Sequence, residues 1–465
     1  MSGAPLPPVL PPKSASRPEQ VSLWQYLRLF RRDILSAQPA KLYRAWMAEF
    51  RTPFFRSYLV NQPELVKTVL RDRPDDFPKS DRIREGLAPL LRNSVFVTNG
   101  AVWKHQRRII DPAFEGGRLR EVFPAIWDAG VAAVARLNDE AVAGDAVEIE
   151  GVTSHAAADV IFRTLFSIPI TDDTASQVFA QFRAYQRSQP IVNIGALLPL
   201  PGWMPRFFKR RTRETATAIR GLIEQLTRQR MARIRAGNAP DDLATKIMTT
   251  PDPETGACFE TDEMVDQVAI FFLAGHETSA SALAWALYLM AQFPEWQDRL
   301  ATEAREVLDP EVPYFSATSK LKLARNVFRE TMRLYPPVPM MVRENRCPER
   351  FRDRDVRPGA QIVLSPWHLH RHTRLWDRPD EFDPDRFDTP NGKACLREAY
   401  IPFSAGARVC PGSGFAMIEG PLILAMLLRA FRFDLVPERA AVPVAHLTVR
   451  ARDGIWLRVT PRDSA

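Results

Sequence analysis

The sequence predicts a mainly α-helical fold with a small β portion weighted to its C-terminal half. Three observations carry this. Helical patterns dominate residues 104–300, among them "FPAIWDAGVAAVARLNDEAV", "ATAIRGLIEQLTRQRMARIRAG" and a long apolar segment near 262–293 that stops before Pro294. After Pro336 the texture changes, and short strand patterns such as "GAQIVLSP" alternate with turns rich in Pro and Asp. No internal repeat and no linker divides the 465 residues, so one domain is expected over 21–465, behind a proline-rich arm over 1–20.

The opening "MSGAPLPPVLPP" has neither a charged n-region nor an apolar h-region, so it reads as an extended, polyproline-like arm and not as a signal peptide. Residues 21–50 have a helical pattern, with Leu23, Leu27, Phe30 and Ile34 on one face. This is a first helix packed on the domain or an amphipathic membrane helix. Residues 55–70 read as a short strand, a Pro-containing turn and a helix. "IVNIGALLPLPGWMPRFFKRR" is an apolar, proline-broken loop followed by a basic cluster. The 264–293 segment is apolar enough to suggest a membrane span, but His276 and Glu277 lie in its middle, which favours a buried core helix. "SKLKLARNVFRETMRLY" is a helix that ends before Pro336-Pro337. A last helix is expected from about 413 to 430, and "HLTVRARDGIWLRVTP" closes the chain as a β-hairpin.

The formal charge is +8 and the pI about 9.4. No dense basic run is interleaved with aromatics, so nucleic acid is not the expected partner. The excess is either compositional or a basic face for an acidic protein or a membrane surface. The four cysteines, Cys258, Cys347, Cys395 and Cys410, are irregularly spaced, with no CxxC and no zinc pattern. A reducing compartment is expected, hence a cytoplasmic location. His368, His370 and His372 invite a metal reading, but their alternation suits one face of an extended strand and no carboxylate or cysteine completes a site.

The densest chemistry lies in "FSAGARVCPG", residues 403–412. A thiolate is stabilised by a helix N-terminus, backbone N–H donors and nearby positive charge. Cys410 stands just before a helix, Arg408 supplies a cation two places away, and Gly406 and Gly412 allow a tight turn and a close approach. Pro411 offers no N–H, so donors to sulfur come from Gly412 onward. This is what is needed to hold a thiolate against a metal in a bulky ring, of which haem iron with an axial cysteine is one case. A buried, inert cysteine in a glycine-containing turn is the alternative.

The stretch resembles the FxxGxRxCxG haem-binding loop of the cytochrome P-450 family, with Phe403, Gly406, Arg408, Cys410 and Gly412 all matching. "ETMR" is similar to the family's ExxR, giving Glu330 and Arg333, and "FDPDRF" at 382–387 fits the loop that supplies Arg386 to the same network. "PERF" at 348–351 copies the consensus spelling better but comes too soon after the ExxR helix, so Arg386 is preferred to Arg350. "AGHET" resembles the family's oxygen-activation motif, with small Ala274 and Gly275 leaving room over the haem, and Thr278 and Glu277 as the alcohol and acid that guide protons. "WKHQR" resembles WxxxR, so that Trp103 and Arg107 would reach a haem propionate, with Arg343 and Arg408 as further partners. The five motifs follow the family's order over roughly 40–460.

The resemblance implies a single-domain cytochrome P-450 fold, with haem b between the long central helix and the cysteine helix. It implies a monooxygenase acting on a lipophilic small molecule with O₂. NAD(P)H electrons would arrive through a separate partner, a ferredoxin with its reductase or a flavodoxin. The basic charge would steer an acidic partner of this kind. Pocket positions are expected near Ile83 to Phe96, at Phe271 and Ala274, at Val338 to Val342 and at Leu447-Thr448. A monomer without a transmembrane anchor is expected, with peripheral membrane contact through the 191–205 loop left open. A peroxygenase, an isomerase or dehydratase, and a haem sensor or carrier are the rivals. The Glu277-Thr278 pair argues against the peroxygenase.

Overall fold

In the computed structural model, residues 9–51, 55–141, 146–188, 210–309 and 311–462 are described. The apolar 191–205 loop lies outside them. The core is helical. The central helix, Thr261–Gln292, begins with a reciprocal capping box between Glu260 and Glu263 and ends where Phe293 precedes Pro294. It is buried over almost its whole length, because it packs against Ile149–Phe166, Arg210–Arg235, Lys322–Leu334 and Ser413–Ala430. A helix apolar on all sides is a core helix. Ser413–Ala430 is the one described helix long and apolar enough to cross a membrane, and most of it is buried in this core.

The β portion is split among small sheets. Four strands run in the order Met47–Arg51, Arg56–Val60, Gln361–Leu364, Met341–Glu344, with Tyr58 opposite Ile362 in the parallel pair and Ile362 opposite Arg343 in the antiparallel one. This sheet is where the second half of the chain meets the first.

Three expectations are corrected. The helical pattern over 21–50 holds only for Leu23–Arg32; buried Asp33 then turns the chain by accepting the N–H groups of Leu35, Ser36 and Ala445 at 2.8–3.0 Å. The 446–461 segment is not a hairpin. Val449–Ala451 pairs with Pro443–Ala445, while Trp456–Pro461 joins Phe431–Leu435 and Val147–Glu148 in another sheet. The histidine run is a helical turn, Pro366–Leu369 and its continuation, with all three rings buried. His368 bonds Ser365, His370 accepts the Ile401 N–H and His372 stacks on Trp46, and no metal-binding group of side chains occurs among the described residues.

The proline-rich arm is not detached where it is described. Tyr335 donates to the Pro12 carbonyl, Lys13 pairs with Asp380 at 3.0 Å, and Ser14 bonds the Pro443 carbonyl.

Candidate active site

The 403–412 loop turns on Gly406, at φ +68°. A Cβ there would run into the backbone carbonyl of Leu70, so only glycine satisfies both the turn and the approach. Gly412 has an ordinary φ of −79°, which corrects the expectation that both glycines serve the turn. A Cβ there would stand 3.9 Å from Cys410 Sγ, an ordinary contact, so the space beside the sulfur does not require glycine either. The Cys410 N–H donates to the Phe403 carbonyl at 2.9 Å and closes the loop. Surrounding protein pushes the thiol pKa up, while the Gly412 N–H and Arg107 act to lower it. The side chain is nevertheless accessible, so it is walled by protein and open on one side. Cys395 differs: it is buried, donates to the Leu375 carbonyl at 3.2 Å and is pushed up to about 11 by burial.

On the central helix, Ala274 is exposed and Thr278 half-buried, although Leu273, His276, Glu277 and Ser279 around them are buried. Ala274 and Thr278 share a face, and the Thr278 hydroxyl donates back to the Ala274 carbonyl at 2.5 Å. This face therefore fronts a gap in the core. Gly275 serves another purpose than leaving room there, for a Cβ on it would collide with Ile161 of the neighbouring helix. The next residue, Ser279, donates to Glu419 of the cysteine helix at 2.8 Å and ties the two helices together.

Four cations gather round Trp103, which the helix Gly100–Ile110 buries. Arg408 lies 5.0 Å, Lys79 5.6 Å and Arg107 5.8 Å from its ring centre. Arg343 bridges to Lys79 through the backbone, and burial and Arg408 pull its pKa down to about 10. The Lys79 ammonium donates to the carbonyls of Val95 and Thr98, and burial, then Arg343, Arg408 and Arg107, lower its pKa strongly. Arg107 donates to the Val409 carbonyl at 2.7 Å, next to the cysteine. Two acids are nearby: Asp75, 66% exposed, is 3.6 Å from Arg408, and Asp111, whose Oδ1 is buried, is 2.6 Å from Arg107. The cluster is positive in excess. Lys79 was not singled out in the sequence, since nothing in "DDFPKSDR" marks it; only its position opposite Arg343 reveals it.

Glu330, Arg333 and Arg386 meet in the core. Arg333 holds Glu330 with two bonds of 2.7 and 2.8 Å, and Arg386 adds a third of 3.1 Å. Burial acts to raise the Glu330 pKa, but Arg333 and Arg386 outweigh it and the net shift is downward. The remaining guanidinium N–H groups take the carbonyls of His370, Asp377, Arg378, Pro379 and Glu381. Arg350, the better spelling match, is exposed on the short strand Glu349–Phe351.

Glu277 makes no bond to Thr278. Its carboxylate accepts from Thr448 at 2.5 Å, Arg450 at 2.8 Å and Gln186 at 3.1 Å. It lines a polar cavity of about 340 Å³ shared with Glu150, Ser154, Arg183, His276 and Arg450. Thr448 is thus turned toward the acid and not toward a substrate, a departure from the pocket expected at Leu447-Thr448. Arg450 is not marked by the sequence either, because the hairpin pattern does not bring its strand beside Glu277.

The family model for cytochrome P-450 matches residues 38–456. This chain belongs to that family. Relatives of the cytochrome P-450 chain include the cyclooctat-9-en-7-ol 5-monooxygenase of Streptomyces melanosporofaciens, 31% identical over 92% of this chain and 94% of the relative. The 11-oxo-beta-amyrin 30-oxidase of Glycyrrhiza uralensis is 28% identical over 85% and 77%, and the cytokinin hydroxylase of Arabidopsis thaliana 28% over 87% and 78%. The chain is a cytochrome P-450 monooxygenase, and the family implies haem.

The residues of this cytochrome P-450 fit that group. An open thiol, a gap fronted by Ala274 and Thr278, and a cation cluster in which Lys79 and Arg343 pair with no acid among the described residues match an iron-bearing ring with a sulfur ligand and two carboxylates. Arg408 Nε, buried and without a hydrogen-bond partner, is one donor such a carboxylate would satisfy.

Proposed function

We propose that this monooxygenase hydroxylates a lipophilic, terpenoid-class molecule and draws its electrons from a separate ferredoxin or flavodoxin system. The reading of the substrate rests on two of the relatives, whose names describe oxidation of cyclooctat-9-en-7-ol and 11-oxo-beta-amyrin, and on the apolar helices around the gap. The single observation behind the chemistry is the open Cys410 thiol whose loop is bonded, through the Val409 carbonyl, to the cation cluster. We also place the enzyme in the cytoplasm, on its unpaired cysteines.

When bound, a thiolate-ligated haem supplies O₂ activation: R–H, O₂, two electrons and two protons become R–OH and water. The chain's own residues do the rest. Cys410 would ligate the iron. Arg107, Arg343, Arg408 and Lys79 would hold the carboxylates. Ala274 would leave space in the gap beside Thr278. Thr278 Oγ1 holds a proton there, and to present it the hydroxyl releases the Ala274 carbonyl. Glu277 is loaded from the polar cavity and delivers when it exchanges Thr448 and Arg450 for partners on the Thr278 side.

Screening terpenoids for a low- to high-spin shift of the haem spectrum, then measuring product per NADPH with a ferredoxin system, tests this. Thr278→Ala should keep substrate affinity but lower product per NADPH severalfold, with the lost electrons recovered as H₂O₂. Efficient H₂O₂-driven turnover of the wild type, with coupling unchanged in Thr278→Ala, would instead make the protein a peroxygenase.

A further inference from the structure

The helix Leu23–Arg32 is odd among the helices of this protein: ten residues long, it has no buried side chain. It is still firmly held. Ser22 caps its start, Asp33 ends it and bonds the Ala445 N–H, and Tyr26 and Phe30 contact each other 5.7 Å apart on its inner side. Its outer side is unusual. Trp24 is 83% exposed. Arg28 and Arg31 follow Trp24 at i+4 and i+7, on its face, and Arg32 completes a helix with three arginines and no acid. Among the described residues, no acidic group pairs with Arg28, Arg31 or Arg32.

An exposed indole set among unpaired arginines is poorly suited to bulk water. The indole is a large apolar body with one polar N–H, which favours the boundary between headgroups and acyl chains. Arginine stems lie along apolar surface while their heads stay at the charged level. A short, rigid helix with this arrangement fits a flat anionic surface, which meets the arginines with phosphates and the indole with hydrocarbon. A protein partner of the usual kind would meet a contiguous apolar patch, whereas here one tryptophan stands between cations. The geometry points to Leu23–Arg32 as an interfacial helix that docks this cytochrome P-450 on anionic lipid through Trp24, Arg28, Arg31 and Arg32.

The test uses the full-length, haem-loaded protein and sedimentation with vesicles, either phosphatidylcholine alone or phosphatidylcholine with phosphatidylglycerol. The wild type should bind the anionic vesicles, bind the neutral ones far less, and be released as salt rises. The variant Trp24→Ser, Arg28→Gln, Arg31→Gln should lose binding by at least about tenfold, with its melting curve and haem spectrum unchanged because the three side chains point outward. Three results would overturn the inference: a wild type that ignores anionic vesicles, a variant that binds as well as the wild type, or concentration-dependent self-association that Trp24→Ser abolishes without any vesicle binding. The last would assign the face to a second copy of the chain.

Discussion

The protein buries two clusters of arginine, and they are opposites. Around Glu330 each positive group has an answer: a carboxylate takes three bonds from two guanidiniums, and backbone carbonyls take the rest. Around Trp103, burial and then neighbouring cations lower the pKa of Lys79 and Arg343, and neither pairs with an acid among the described residues; Asp111 and the exposed Asp75 answer only Arg107 and Arg408. A buried charge is tolerated only when it is paired. The first cluster is therefore complete in the polypeptide, and the second is complete only with an anion. The contrast separates a structural device from a binding site without appeal to any motif.

The largest expected effect breaks the balanced cluster. Glu330→Ala leaves two buried guanidiniums uncompensated, a loss of about 3–5 kcal/mol, so little folded, haem-loaded protein should be recovered. The unbalanced cluster should respond in the opposite sense. Arg343→Met removes one of four neighbouring positive charges, so the haem-free protein should melt no lower than the wild type, while haem dissociates at least about tenfold faster, in line with loss of one charge-assisted bond of ~1.5–3 kcal/mol. If the haem-free variant is destabilised as strongly as Glu330→Ala, the distinction between the clusters fails.

Glu419 sharpens the comparison, because it has no cation at all. Burial raises its pKa to about 8 from 4.5, and the Ser279 hydroxyl is the one group acting against this. It escapes the cost of a buried charge by keeping its proton. With the folded pKa above the unfolded one, its contribution to stability is full below about pH 4.5 and is lost as pH rises through 8. The melting temperature of the wild type should fall over that window, and Glu419→Gln should flatten the fall by a few degrees. At the small end, Arg350→Ala should leave melting and haem content within about 0.5 kcal/mol of the wild type, since Arg350 is exposed.

The helical core was legible in the sequence because its signals are local. Thr261–Gln292 and Ser413–Ala430 carry their own apolar patterns, and the first also its own cap and stop. The motif residues were legible for a similar reason, since each lies in a short stretch with a distinctive spacing. What was not legible depends on pairing between distant segments. Lys79 joins the cation cluster only by lying beside Arg343, and Thr448 and Arg450 reach Glu277 only because their strand pairs backward to Pro443–Ala445 and not forward to Trp456–Pro461. The "HLHRH" alternation mimicked a strand because period two says nothing about whether neighbours exist to pair with. Small size alone does not show what Gly275 is for, since the neighbour that decides, Ile161, comes from another helix.

Cys410 as the haem ligand joins the thiol and the cation cluster into one site, and one spectrum tests it. The reduced, CO-bound wild type should show the long-wavelength Soret band that marks thiolate ligation, and the triple variant Cys258→Ser, Cys347→Ser, Cys395→Ser should show it unchanged. Cys410→His should lose that band while the protein remains folded. A thiolate band that survives in Cys410→His would contradict the assignment, and with it the reading of the open thiol and the neighbouring cation cluster as one site.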